Sequence, residues 1–135
     1  MVEEEVRRRI LPGKSELGLE RYMEAFTEAV AVFDRDFVFV SVNPAFTRMT
    51  GYGDTEVIGL PTSVLDSAQH DPDFYQTMRG ELERNGRWSG EIWQQRKDGQ
   101  EFLCWLQASI VLDAMGQRSH YVAVLGDITD QKRAE

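Results

Sequence analysis

The sequence predicts an α+β fold in which an antiparallel sheet carries a group of short helices. Two strand-like segments come first, a run of helical segments follows, and three further strands close the pattern. Because the helices stand between two groups of strands and do not alternate with them, this order favours an α+β plan over βαβ units. The turn dipeptides Asp98-Gly99 and Met115-Gly116 predict that the last three strands form consecutive hairpins.

Five segments rich in β-branched and aromatic residues are bounded by turn residues, which is typical of strands. The polar turn Asp34-Arg35-Asp36 separates the first two. The predicted strands are 30–34, 37–42, 88–96, 101–112 and 118–127.

The predicted helices lie between residues 43 and 85. Asn43 is a suitable N-cap for the first of them, and Pro44 suits the first helical position. A longer helix begins at Asp71 and has apolar side chains at spacings of three and four. Gly86 is expected to end it, since glycine commonly adopts the left-handed conformation just past a helix.

The chain is predicted to hold one main domain with a short segment on each side. Residues 1–18 predict an N-terminal helix or linker in which Val6 and Ile10 lie four apart on one side. The domain itself is predicted to span residues 19–130. Residues 131–135 resemble the start of a further linker helix, so we expect the chain to be a piece of a longer protein.

Composition and charge exclude several classes of function. The chain has 135 residues and a formal net charge of -8, which argues against the basic surface that nucleic acids require. No apolar run approaches the roughly 20 residues needed to span a membrane. A single cysteine, Cys104, excludes an internal disulfide and favours a cytoplasmic setting.

No catalytic or metal-binding arrangement is evident in the sequence. His70 and His120 lie in different predicted elements, and Cys104 has no predicted base nearby. The glycines of residues 51–53 do not follow a strand, as those of a nucleotide-binding loop would. We therefore expect neither an enzyme nor a metal site in this segment.

Four segments resemble PAS domains, a family of sensory modules. They read VNPAFTRMTGYGDTEVIG, HDPDFYQTM, GRWSGEIWQQRKDGQEF and HYVAVLGDITDQK, and the resemblance spans Leu19 to Lys132. It implies a five-stranded antiparallel sheet in spatial order 2-1-5-4-3, with helices packed on one face around a pocket. The subtype is similar to PAS domains found ahead of cyclic-di-GMP enzymes and histidine kinases in bacteria. The implied function is a sensory and dimerisation module that binds a small ligand or cofactor and regulates an attached effector; the alternative is a ligand-free interaction scaffold.

Strand alternation and the resemblance together place a mainly apolar set of side chains around the implied pocket. Plain core packing is the alternative role for the apolar members of this set. The predicted pocket residues are Phe46, Met49, Thr50, Leu65, Tyr75, Met78, Trp88, Gln94, Cys104, Leu106 and Leu125.

The identity of a cofactor is not given by the sequence. The light-sensing flavin branch of the family carries a reactive cysteine where this chain has residues 61–63, Pro-Thr-Ser, and of that branch's flavin-amide contacts only Gln94 is retained as an amide. Haem-binding members carry a histidine near the position of Tyr75, whereas His70 precedes the helix. Redox-sensing members that hold FAD are closer, because they share TGYGDTEVIG and a tryptophan like Trp88. FAD, an apolar metabolite or lipid, and an empty pocket all stay open.

The opposite face of the predicted sheet is also apolar and includes two tryptophans, which is typical of a partner surface. We expect an N-terminal helix to cover it, from the same chain or from a second subunit, and a homodimer to form. The predicted outer-face residues are Val6, Ile10, Trp93, Leu103, Trp105, Val122 and Val124.

The segment Asp127-Ile128-Thr129 ends the last predicted strand. The resemblance implies that Asp127 and Thr129 pass changes in the pocket or dimer to a downstream helix. The alternative is that this segment only caps that helix.

Overall fold

The computed structural model describes residues 28–129, in which five strands and a set of short helices form an α+β domain. Strands β1 to β5 are Ala29–Asp34, Phe39–Val42, Arg87–Gln95, Glu101–Leu112 and Arg118–Asp127. Helices α1 to α3 are Pro44–Thr50, Asp54–Val57 and Pro72–Asn85, and a short 3₁₀ helix, η1, is Thr62–Leu65. The predicted N-terminal helix with Val6 and Ile10, and residues 131–135, lie outside the described residues.

The sheet is antiparallel throughout and has the order β2-β1-β5-β4-β3. The predicted fold class and strand order are therefore confirmed. Strand β5, the last in sequence, lies between β1 and β4 at the centre of the sheet. The helices connect β2 to β3 and pack on one face, so that a buried apolar cluster forms between the two layers.

Strand β2 begins at Phe39, two residues later than the sequence predicts, whereas the other strand bounds agree with the prediction to within one residue. The reason is the backbone of Phe37, which has a φ of 61° in the left-handed region that non-glycine residues rarely adopt. The carboxylate of Asp34 accepts hydrogen bonds from the backbone N–H of Asp36 at 2.9 Å and of Val38 at 3.1 Å. This side chain closes the turn and delays the start of the strand.

Asn43 fixes helix α1 to the sheet. Its side-chain oxygen accepts hydrogen bonds from the backbone N–H of Phe46 at 3.0 Å, as an N-cap does, and of Val30 in β1 at 2.9 Å. Its side-chain nitrogen donates to the carbonyl oxygen of Glu28 at 2.8 Å. One fully buried amide thus sets the position of α1 over the sheet.

A row of three alanines crosses the inner face of the sheet. Ala31 of β1 lies opposite Ala123 of β5, and Ala123 lies opposite Ala108 of β4. All three are buried. Because directly opposed residues on neighbouring strands point to the same face, three methyl groups stand side by side where larger side chains would fill the space below the helices.

Candidate ligand cavity and output junction

A cavity of about 50 Å³ lies above the alanine row, between the sheet and the helices. Its walls include the three alanines together with large apolar side chains from both layers. Six of the eleven residues predicted for the pocket line it: Phe46, Leu65, Met78, Gln94, Leu106 and Leu125.

The other five predicted pocket residues lie elsewhere. Met49 and Thr50 line an open depression beside the end of β5. Tyr75, Trp88 and Cys104 pack in or against the apolar cluster, and the structure does not place them in the wall of the cavity. Strand alternation identifies the inner face correctly, but it does not say which inward side chains border a void.

Sequence reasoning missed several residues of the wall. The alanine row is not among the predicted pocket residues, although small residues at inward positions of three neighbouring strands indicate unfilled space. Phe37 was assigned to a strand, and its left-handed backbone instead carries its ring to the cavity, 5.1 Å from the ring of Tyr121 and stacked on it. The missed wall residues are Ala31, Phe33, Phe37, Phe39, Thr62, Asp66, Arg79, Leu82, Ala108 and Ala123.

Gln94 brings an unpaired polar atom to this apolar wall. The residue is 7% exposed, and its Oε1 atom is buried without a hydrogen-bond partner among the described residues. Leaving a buried amide oxygen unpaired costs about 1–3 kcal/mol. The Gln94 backbone is also held in place, since it forms an antiparallel bridge to Asp66 at the end of η1.

Four residues of the cavity wall are partly exposed and therefore define its mouth: Phe37, Thr62, Asp66 and Arg79. Two of these residues, Arg79 and Asp66, form an ion pair of 2.6 Å with each other. Burial raises the pKa of Asp66, and the neighbouring guanidinium acts in the opposite direction. The two charges compensate one another, so the mouth presents no unpaired charge from this pair.

The cavity does not accommodate an isoalloxazine ring. Sites for ligands of drug or cofactor size enclose roughly 300–1,000 Å³, against about 50 Å³ here. The wall includes the aromatic side chains of Phe39 and Phe46, which are buried and packed edge to face at 5.5 Å. Trp88, the residue that suggested FAD, packs near Phe74 outside the wall. The residues present do not fit the FAD hypothesis.

Cys104 is buried in the apolar cluster and is not arranged as a nucleophile. Burial raises the pKa of its thiol to about 12. Because the thiolate is the reactive form, this cysteine stays protonated and inert at neutral pH.

The edge strand β3 is attached to the helical layer at Trp93. The backbone N–H of Trp93 donates to Nε2 of His70 at 3.0 Å, and its carbonyl oxygen accepts from the hydroxyl of Tyr75. The backbone N–H of Ser67 donates to the same hydroxyl at 2.9 Å. The wall that carries Gln94 is therefore fixed immediately beside the cavity.

Arg96, two residues after Gln94, connects this wall to the end of β5. Its guanidinium pairs with the carboxylate of Asp127 at 2.7 Å, donates to the carbonyl oxygen of Met49 at the end of α1, and lies 4.2 Å from the centre of the Phe102 ring. Sequence analysis did not single out Arg96. Nothing in the local sequence around Arg96 indicates that its partner is Asp127, which lies 31 residues away.

The predicted output residues Asp127 and Thr129 form one hydrogen-bonded group with β4. The Thr129 hydroxyl oxygen accepts from the backbone N–H of Leu103 at 3.0 Å, and the N–H of Ile128 donates to the carbonyl oxygen of Leu103 at 3.0 Å. Burial acts to raise the pKa of Asp127, but hydrogen bonds from Arg96 and Thr129 outweigh it and leave that pKa below its usual value. Arg96 is therefore in direct contact with the point where the chain leaves the sheet.

The outer face of the sheet carries the predicted tryptophans. Register with neighbouring strands places Trp93 and Leu103 together, and Trp105 and Val124 on the same side. Trp105 is 45% exposed and Trp93 and Val124 are half-buried, whereas Leu103 is 9% exposed and Val122 is 0% exposed. Surface available to a partner is thus concentrated at Trp105 and its neighbours.

The chain is a small α+β domain, with a five-stranded antiparallel sheet in this order, helices on one face and a cavity between the layers. Comparison of the sequence with protein families matches residues 27–130 to the PAS domain. The chain belongs to the PAS family, as the sequence resemblance implied. Members of this family are generally sensory and not catalytic.

The chain is similar to segments of bacterial signalling proteins. It is 31% identical over 107 residues to a nitrogen fixation regulatory protein of Klebsiella oxytoca, covering 79% of this chain and 22% of that protein. It is 30% identical over 94 residues to a blue-light-activated histidine kinase of Brucella canis, covering 70% of this chain and 19% of the kinase. The chain therefore spans about a fifth of the length of these relatives.

Among solved structures, an RNA-binding light-oxygen-voltage receptor is similar, with a TM-score of 0.75 and 30% identity. The alignment covers 84% of this chain and 33% of the receptor.

Within residues 28–129, no helix has the length and apolar character that crossing a membrane requires.

Proposed function

We propose that this chain is a non-catalytic sensory module whose cavity, by holding or lacking a small ligand, sets the state of the segment that leaves β5. One observation carries the proposal. Gln94 lies in the cavity wall near the end of β3, and Arg96, two residues later, is paired to Asp127. A change at the cavity therefore has a short route to residues 127–129, which we call the output junction.

The route from the cavity to the output junction passes from Gln94 through Arg96 to Asp127. A single residue separates Gln94 from Arg96 at the end of β3, so a shift of the backbone at Gln94 also moves the start of the Arg96 side chain. Arg96 contacts the end of α1, the ring of Phe102 and the carboxylate of Asp127 at once. A small displacement therefore changes several contacts together, and the three hydrogen bonds that join residues 127–129 and Leu103 respond to it.

The attached effector is proposed to be a signalling domain of the kind carried by two-component or cyclic-di-GMP proteins. A histidine kinase among the relatives and the short share of each relative that this chain covers support the idea of an effector beyond this segment. We further propose a cytoplasmic setting, supported by the presence of a single cysteine, which excludes an internal disulfide.

A homodimer is proposed to form through the outer face around Trp105. An indole that is 45% exposed beside half-buried Trp93 and Val124 forms an apolar surface suited to a second copy. The same observation supports the alternative function, a ligand-free interaction scaffold, in which this face would act and the cavity would have no role.

The two functions are separated by filling the cavity in the intact protein. Ala108→Val adds two methyl-sized carbons at the alanine row, where β-branched residues suit the strand. It is expected to change the output of the attached effector in the absence of any added ligand. Val124→Ile, which adds one carbon on the outer face, is the control for the cavity. Unchanged output with Ala108→Val, together with changed output in Val124→Ile, would favour the scaffold.

A further inference from the structure

We propose that the cavity takes an uncharged molecule no larger than a single aromatic ring, bearing one O–H or N–H group that donates to Oε1 of Gln94. This inference rests on the proposed sensory function and specifies its ligand. It differs from a flavin site in both the size and the chemistry of what is bound.

The polar requirement comes from Gln94. It is 93% buried, its Oε1 atom has no partner among the described residues, and the residue lines the cavity. Buried amide oxygens are nearly always hydrogen-bonded in folded proteins, so an unpaired one in a residue of the cavity wall points to a partner that is not part of the chain. The acceptor calls for a donor, and a hydroxyl or an N–H supplies it.

The requirement for a neutral ligand comes from the charges near the cavity. Asp66 and Arg79 are the charged residues among those that line it, and they are paired with each other at 2.6 Å. A charged ligand would have to be desolvated beside aromatic rings without a free opposite charge, which is strongly unfavourable.

The size limit comes from the walls. A cavity of about 50 Å³ is smaller than the roughly 150 Å³ apolar cavity known to bind benzene, so a single ring requires a modest expansion. Met78, 9% exposed, lines the cavity from α3 and is unbranched. Methionine changes rotamer at low cost, so Met78 is the side chain that yields to a single ring. A fused three-ring system would need the aromatic walls to move as well.

The mouth suits the passage of such a molecule. Its partly exposed residues are Phe37, Thr62 and the Asp66–Arg79 pair. A ring that enters here meets an aromatic side chain and an ion pair whose charges compensate one another.

Phenol and fluorobenzene form a matched pair of probes because they have nearly the same shape but only phenol donates a hydrogen bond. Each is titrated into the 135-residue chain and binding is followed by amide chemical shifts of β3 in NMR spectra. Fluorobenzene is the more hydrophobic, so burial alone favours it. We expect saturable binding of phenol, with phenol bound more tightly than fluorobenzene.

Gln94→Leu tests the role of the amide, since leucine is similar in size and removes the acceptor. The ratio of phenol affinity to fluorobenzene affinity is expected to fall by about tenfold or more, as loss of one buried hydrogen bond implies. Gln94→Met provides a second apolar replacement with a more flexible side chain and carries the test if leucine disturbs the fold.

Absence of saturable phenol binding, equal affinity for the two probes in the wild type, or an unchanged ratio in both Gln94 variants would overturn the proposal. These failures are distinguishable from failure of the sensory function. If phenol does not bind but Ala108→Val still alters effector output, the ligand class is wrong and the sensory function stands. If the phenol preference is found but neither phenol nor Ala108→Val alters output, the ligand class stands and the sensory function fails.

Discussion

At the scale of single residues, two polar side chains join separate segments of the chain through hydrogen bonds. Asn43 is buried and joins α1, β1 and the residue before β1 through three hydrogen bonds. Asp127 is exposed and joins Arg96 to Thr129. The first holds the helical layer on the sheet, and the second holds the segment that leaves β5 on the β3–β4 hairpin.

Asn43→Ala is expected to lower the free energy of unfolding by about 2–4 kcal/mol, because it leaves the backbone N–H groups of Val30 and Phe46 unpaired in the interior. Urea denaturation measures this loss. The control is Asp71→Ala at the N-cap of α3, where the side chain makes no capping hydrogen bond. A loss of less than 1 kcal/mol for Asn43→Ala, or equal losses for the two variants, would contradict this role of Asn43.

The pKa of Asp127 predicts a specific pH dependence of stability. Because that pKa is lower in the folded state than its ordinary value of 3.8, the carboxylate contributes stability above that value, and the contribution is lost as the pH falls through the folded pKa. Asp127→Asn should therefore lose less stability than the wild type between pH 5 and pH 2.5, as measured by denaturant unfolding at each pH. Arg96→Gln should likewise lose less of its free energy of unfolding than the wild type over this pH range. If both variants lost as much as the wild type, the ion pair would not be coupled to folding.

At the scale of elements, the sequence predicts the strands and helices well because their patterns are local. Asn43 and Pro44 mark the start of α1, glycine turns mark the hairpins, and alternation identifies the inner face. Phe37 shows where this fails, since its left-handed backbone depends on a hydrogen-bonded turn that propensity does not encode. The cavity wall was predicted only in part, because a void depends on how three strands align and not on any one of them.

The edge strand β3 illustrates a second limit of local reasoning. Its attachment to the helical layer depends on the hydroxyl of Tyr75 and on His70, which are 18 and 23 residues away from Trp93. These side chains occupy backbone groups at the free edge of the sheet, where another chain would otherwise pair.

Tyr75→Phe is expected to destabilise the domain by about 1–3 kcal/mol, because it leaves the N–H of Ser67 and the carbonyl oxygen of Trp93 without this partner. Amide hydrogen exchange should accelerate at Ser67 more than in the central strands. Tyr52→Phe, at a half-buried tyrosine outside this cluster, serves as the control. Equal stability of the wild type and Tyr75→Phe would mean that the hydroxyl does not hold the edge.

At the scale of the whole molecule, the two faces of the sheet have different roles in this account. The inner face encloses the cavity and the outer face is proposed to meet a second copy. Sequence alternation separated the two faces, but it did not distinguish Val122, which is fully buried, from Trp105, which is 45% exposed. Exposure depends on what packs above each side chain, and a strand pattern carries no such information.

Trp105→Glu is expected to shift a dimer towards monomer while the fold survives, since a carboxylate at the centre of an apolar contact must be desolvated without a partner. Sedimentation at tens of micromolar gives the mass, and circular dichroism checks the fold. Met115→Glu is the control, because Met115 is apolar but 84% exposed at a turn. A monomeric wild type, or dimers of equal strength in both variants, would disprove the interface.

The central claim is that the cavity and the output junction are coupled through Arg96. The most direct test is the change in amide chemical shift at Ile128 and Thr129 caused by Ala108→Val, measured in the wild type and again in Arg96→Gln. The account predicts that Ala108→Val causes clear shifts at both amides when Arg96 is present. In Arg96→Gln the size of these shifts should fall by at least about half. It should not fall to zero, because direct transmission along β4 remains. Shifts of equal size in both backgrounds, or none in the wild type, would contradict it.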